Sequence, residues 1–272
     1  MTSCIHPTAV VAPGAKLADG VEVAPYAVIG PHVEIGVGTK VGAHAVIEGR
    51  TTIGRNNRIF QFAAIGAIPQ DLKYRGEPTR LVIGDENQIR EFATLHIGTE
   101  GGGGTTQIGN RNLFMNFSHV AHDCRIGDRV VLANCATLAG HVSVEDFVIV
   151  GGLAGVHQFV RLGESSLLAA GAIVVQDVPP FCVVQGDRAG LVGLNIEGLR
   201  RRAFAGDELR ALRVAYRMLF RSGLTTKEAI CKIREESAPS TAVEHLFTFV
   251  ESSKRGLCRL RGEAGDDADP ES

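Results

Sequence analysis

Five of the nine histidines sit where a repeating chain could gather them: His96, His119, His122, His141 and His157. Imidazole takes and gives protons near neutral pH and is also a common metal ligand. A group of them could therefore supply a general base with phosphate-binding helpers, or bind zinc with His119-x-x-His122 as a partial motif. They could also pack a subunit interface. The residue pattern by itself leaves the first two open. Asp123 directly follows His122 and could orient or polarise it, although neighbours along a strand face opposite ways. His6, His32, His44 and His245 show no grouping and read as surface or turn residues.

What would position the five is a period of six. From Ile5 an apolar residue recurs at every sixth place for eleven repeats, through Val23, Ile47 and Ile59 to Ile65. The period returns at Ile83, Ile89 and Leu95, then runs from Ile108 to Val174. Gly or Ala often follows, as at Gly30, Gly36, Gly54 and Gly127. Six matches neither the helical 3.6 nor the strand period of 2; it is the hexapeptide signature of a parallel β-helix. Three hexapeptides make a triangular coil, with the apolar residue inward and its copy ~4.8 Å along the axis. Gly follows because a side chain there would strike the next coil. The repeats that begin at Val120, Leu138 and Val156 are 18 residues apart and contain His122, His141 and His157. One face thus carries an imidazole on each of three successive rungs, with His119 just before the first.

Two segments interrupt the period. The stretch 66–82 is polar and charged, and 99–107 is glycine-rich. Insertions leave a solenoid on one face and commonly shape its binding site; tolerated decoration fits the glycine-rich loop better than the charged one. After Pro180 the period stops. Short helices are expected from Asn195, from Asp207 to a stop at Gly223, and at capping boxes opening with Thr225 and Thr241. The predicted organisation is mainly β: a β-helix over 1–190, an α-helical domain over 191–262, and an acidic disordered tail over 263–272.

Composition agrees. The chain has 272 residues, 33 of them Gly, with no Trp, 6% aromatics and 44% hydrophobic residues, which excludes disorder and suits a thin aliphatic core. A net charge of -2 gives no reason to expect nucleic-acid binding. It conceals a helical segment, 195–262, with 14 Lys/Arg against 8 Asp/Glu. No apolar run reaches the ~20 residues that span a bilayer, and no secretory signal is evident, so membrane insertion is not expected. Six Cys without a C-x-x-C pair read as reduced thiols of a cytoplasmic protein.

Longer motifs narrow the reading. Q-D-L-K-Y-R-G-E-P-T-R from Gln70, S-H-V-A-H-D-C from Ser118, A-T-L-A-G-H-V-S-V from Ala136, H-Q-F from His157, Q-D-V-P-P-F from Gln176 and N-I-E-G-L-R-R-R from Asn195 together resemble the bacterial UDP-N-acetylglucosamine O-acyltransferases of lipid A synthesis, within the hexapeptide-repeat acyltransferases. The resemblance covers about 1–262. It implies a left-handed β-helix, a homotrimer, and transfer of an (R)-3-hydroxyacyl chain from acyl carrier protein to the sugar 3-hydroxyl of UDP-N-acetylglucosamine. Under it His122 is the general base, Asp123 its partner and the Gly140 N–H the oxyanion donor. His119, His141, His157 and Gln158 contact substrate, and Asp71 and Lys73 hold the acyl hydroxyl and sugar. Asn195, Glu197 and Arg201 bind the nucleotide, while the basic helices dock the acidic carrier. The acyl thioester is a co-substrate, and neither metal nor cofactor is implied. Ala170 stands where relatives taking long chains have Gly at the floor of the acyl groove, which implies a shorter chain. A zinc-dependent hexapeptide enzyme of the carbonic anhydrase kind, or another hexapeptide acyltransferase, is the alternative.

Overall fold

Each hexapeptide folds as a two-residue strand and a corner. Cys4–Ile5, Val10–Val11 and Lys16–Leu17 open three faces, and Glu22–Val23 returns to pair in parallel with Cys4–Ile5. Repetition builds sheets of 11, 9 and 8 strands, the three faces of a left-handed parallel β-helix. A computed structural model describes residues 3–236 and 240–261; the expected acidic tail at 263–272 lies outside the described residues.

The periodic residues point inward as their spacing requires. Ile29, Ile47, Ile65, Leu95, Val120 and Leu138 form one buried stack down the second face. The core is not purely aliphatic, since Phe114 fills one rung completely. Gly36 shows why glycine follows the inward residue: a Cβ there would lie 2.6 Å from the Gly54 carbonyl carbon one coil above. The left-handed backbone falls elsewhere, on the third residue after many of the rungs. That place is held by Phe62 (φ 62°), Asp123 (φ 60°) and His141 (φ 62°), among others. So the glycine answers a need for space, and the turn itself is imposed on ordinary side chains at a cost of about 1 kcal/mol apiece.

Both insertions leave the same corner, between the second and third faces. The charged one joins Ala64–Ala67 to Arg80–Ile83, and the glycine-rich one joins Thr94–His96 to Thr105–Ile108. The next coils place Asp123 and His141 at that corner.

At the C-terminal end, Cys182–Gln185 continues the first face and pairs antiparallel with Gly190–Leu194, a hairpin that the six-residue period did not announce. Four helices follow: α1 (Ile196–Arg201), α2 (Gly206–Arg221), α3 (Thr226–Glu236) and α4 (Thr241–Glu251). Thr225 and Glu228 form the expected capping box at α3, the Thr hydroxyl donating to the Glu carboxylate at 2.7 Å. At α4 the cap is Ser240, not Thr241, and it makes no capping bond. Leu199, Leu212, Leu246 and Phe247 enclose a second core together with Phe181 of the coil end. The chain then returns to the β-helix, where Leu257 and Leu260 bridge to Asp177 and Leu191.

Candidate active site

The corner that carries the insertions also carries the imidazole–carboxylate pair. His122 Nδ1 donates to Asp123 Oδ2 at 2.7 Å. Adjacent residues on a strand would face apart, but Asp123 has turned into the left-handed region, and the two side chains meet across the corner. A carboxylate only accepts here, so Nδ1 carries a proton, and in the neutral ring Nε2 is the free acceptor. The His122 ring lies over Gly140: a Cβ on that residue would be 2.6 Å from Cε1 and 2.7 Å from Nε2. Ala139 N–H donates to Val156 O and His141 N–H to His122 O, at 3.0 Å each, while the Gly140 N–H between them has no acceptor among the described residues.

Asp123 is buried and fully engaged. Besides His122 it accepts from the Thr99 N–H at 2.9 Å and the Thr99 hydroxyl at 2.6 Å. Its own N–H donates to Thr106 Oγ1 at 2.8 Å. Both ends of the glycine-rich insertion therefore grip this one residue, and the reading of that loop as decoration is overturned. Thr99 and Thr106 were missed because nothing in residue type marks a threonine as a carboxylate's partner. The spacing did carry a signal, since the loop interrupts the coil directly below Asp123.

Around the pair, His141 meets His122 edge to face at 5.1 Å between ring centres, and its Nε2 lies 3.8 Å from Asp123 Oδ2. Phe159 stacks on His141 at 4.5 Å. Burial holds His141 below the usual imidazole range, opposed by the charges of Asp123 and Asp71. Of the charged insertion, Asp71 acts by its charge on His141; its Oδ1 accepts from the Lys73 N–H, and Lys73 itself is exposed. His119 accepts or donates at Nδ1 with Thr94 Oγ1 at 2.7 Å and packs edge to face on His96 at 4.9 Å. His96, unassigned by sequence, is buried; burial first, then His119 and His122, push it down to about 4. Burial also pushes the Cys124 thiol up to about 12, so it stays protonated.

Other expected residues are placed differently. His157 does not continue the column. It stands one position past its rung, against two for His122 and three for His141, and Arg255 donates to its Nδ1 at 2.8 Å. Gln158, exposed, takes the register of His122 and Gly140. Asn195, expected at the nucleotide, is spent within the chain: its Oδ1 accepts from Gly198 N–H and its Nδ2 donates to Ser165 O. Glu197 pairs with Arg200 at 2.7 Å, and Arg202 pairs with Glu164. Arg201 is exposed and makes no hydrogen bond or ion pair among the described residues. Ala170 is exposed on another corner, between the first and second faces, away from His122.

An imidazole base beside an unengaged backbone N–H can deprotonate a hydroxyl and receive the oxyanion of an attacked carbonyl. On a six-residue β-helix, that is the equipment of the hexapeptide-repeat acyltransferases. Residues 105–140 match the bacterial transferase hexapeptide (six repeats) family, and 177–258 match the second domain of UDP-N-acetylglucosamine O-acyltransferase. The acyl-[acyl-carrier-protein]–UDP-N-acetylglucosamine O-acyltransferase of Myxococcus xanthus is 56% identical over 94% of this chain and 99% of its own length. Among solved structures, LpxA from Acinetobacter baumannii superposes with a TM-score of 0.91 at 45% identity, covering 94% of this chain and 99% of that one. The UDP-N-acetylglucosamine acyltransferase from Campylobacter jejuni gives 0.90 at 42%, covering 94% and 100%. The chain belongs to the acyl-[acyl-carrier-protein]–UDP-N-acetylglucosamine O-acyltransferase family.

Proposed function

We propose that this chain transfers an (R)-3-hydroxyacyl group from the thioester of acyl carrier protein to the 3-hydroxyl of UDP-N-acetylglucosamine, opening lipid A synthesis, with His122 as general base. The observation that carries the assignment is the 2.7 Å contact of His122 Nδ1 with the buried Asp123 carboxylate, with the Nε2 edge of the ring lying over Gly140. Nε2 takes the hydroxyl proton as the oxygen attacks the thioester carbonyl. The Gly140 N–H donates to the oxyanion. Collapse breaks the C–S bond, and the imidazolium returns its proton to the departing sulfur. Asp123 holds the tautomer and balances the transient cation.

Asp71, Lys73, His119, His141, His157 and Gln158 surround the acyl hydroxyl and sugar in this reading, and Glu197 and Arg201 face the nucleotide. Arg201, the member of its run with no partner among the described residues, suits the diphosphate. Asn195 acts by capping α1, which carries the other two. Arg213, Arg217 and Arg221 line one exposed side of α2 and suit an acidic carrier protein. The enzyme is a cytoplasmic homotrimer; no described helix is long and apolar enough to cross a membrane.

The reaction needs no metal or cofactor. His122, Asp123 and His141 do present ligand atoms within 4.8 Å of one another, which favours a zinc enzyme as second reading. Against it, the Asp123 oxygens already accept three hydrogen bonds. Metal analysis of active protein separates the two, since acyl transfer by metal-free protein discards zinc. The decisive variant is His122→Ala, purified folded and assayed for acyl transfer. The expected loss is roughly 10²–10⁴-fold; full activity would refute the base assignment.

A further inference from the structure

The glycine-rich insertion does more than border the active site. We infer that it is a positioning collar, in which Thr99 and the close passage of Gly102 hold the Asp123 carboxylate in the one orientation that keeps His122 a base. This rests on the reading of His122 as general base.

Three observations carry it. Asp123 Oδ2 is shared by two donors, the Thr99 hydroxyl at 2.6 Å and His122 Nδ1–H at 2.7 Å, while Oδ1 takes the Thr99 N–H at 2.9 Å. Both oxygens are thereby anchored by one residue of the loop, and the carboxylate cannot rotate without breaking two bonds to it. Next, Thr106 at the far end of the insertion holds the Asp123 N–H. The loop thus fixes backbone and side chain of the same residue from its two ends. Last, Gly102 passes so close that a Cβ there would overlap Asp123 Cγ and both carboxylate oxygens. Gly102 does not adopt positive φ, so its lack of a side chain answers to the carboxylate and not to the backbone. At Gly101, next to it, a Cβ would meet nothing within 4 Å, and φ is not positive there either.

The pair of neighbouring glycines makes a steric test with its own control. Gly102→Ala presses on the carboxylate, while Gly101→Ala adds the same methyl to open space. Gly102→Ala should lower kcat by at least about tenfold at little change in KM, and Gly101→Ala should match the native enzyme. Thr99→Val removes the hydroxyl that shares Oδ2. Oδ2 then keeps His122 as its one hydrogen-bond donor, while the residue 99 main-chain N–H still holds Oδ1. The acid limb of the kcat/KM profile should move to higher pH, with a loss on the order of tenfold at neutral pH. Thr99→Ser keeps the hydroxyl and should restore both rate and profile.

Two results would overturn the inference. One is native kcat and pH profile in both Gly102→Ala and Thr99→Val. The other is loss of activity that tracks a fallen thermal midpoint, with the acid limb unmoved and no rescue by Thr99→Ser, which would make the loop merely structural. His122→Ala assayed alongside keeps the two readings apart. If it is inactive while the loop variants are native, only the collar fails; if it is active, the base assignment fails first.

Discussion

His96 is a buried imidazole whose Nδ1 has no hydrogen-bond partner among the described residues, and it faces two further histidines. In the unfolded chain it takes a proton near 6.5, whereas in the fold it resists protonation down to about 4. Between those values the unfolded chain binds more protons, so this contribution to stability is intact above about 6.5 and falls as the solution is acidified towards 4. Burial lowers His119 and His141 in the same direction. The thermal midpoint should therefore drop on acidification across that window. His96→Asn, compared by slope and not by absolute midpoint, should flatten the drop; an unchanged slope would mean that His96 is not among the groups responsible. At His122 a different contact acts: one carboxylate decides which nitrogen of the neutral ring keeps the proton.

At the scale of elements, the three faces are chemically unequal. Outward positions of the first face include Glu22, Lys40 and Arg58, and those of the third include Lys16, Glu34 and Arg125. The second face presents Val10, Val28, Val46 and Ala64 in the same places over its first coils, then Thr94, His119 and Thr137 beside the active-site corner, and Ile173 at its end, with no carboxylate, Lys or Arg among them. The corner leading into it bears a ladder of stacked rings, Tyr26, His44, Phe62, Phe92 and Phe117, with centroids 4.9–5.2 Å apart. Leu153 extends that corner upward and is 71% exposed. An apolar face of this kind, bordered by exposed rings, belongs against another protein surface, and a second copy of the chain is the occupant that the trimer reading requires. Val28→Asp should reduce the sedimenting mass to that of a monomer, while Glu22→Ala leaves the assembly intact. A Val28→Asp protein that still sediments as a trimer would remove this face from the interface.

For the whole molecule, the position of Ala170 matters most. It lies on the corner before the second face, and His122 lies on the corner after it. The two corners flank the second face on opposite sides, and neighbouring chains packed by their second faces would set one corner beside the other. In the trimer reading the chain-length preference would then belong to the assembly. Under the proposed function, a methyl at the groove floor would discriminate by ~1–3 kcal/mol and would favour acyl chains of about ten to twelve carbons. Ala170→Gly should extend acceptance towards about fourteen carbons, read by assaying carrier proteins loaded with graded chains. A native preference for fourteen carbons would contradict this role for Ala170.

The six-residue period determined the coil, its inward residues and the stretches where it breaks. Each rung touches its copies at a fixed sequence distance, so a one-dimensional repeat already contains the contacts. The motifs around His122 and Asn195 carried the family. Tertiary structure decided the rest, for reasons that hydropathy does not encode. Left-handed backbone at Asp123 turned a neighbour expected to face away into the partner of His122. An insertion between coils brought Thr99 to Asp123 across 24 residues, where the uninterrupted coil repeats every 18. Burial spent Asn195 as a helix cap, and a different register carried His157 to Arg255. Where contacts repeat, the sequence spells them out; where an inserted loop folds back on the stack, only the folded backbone brings the partners together.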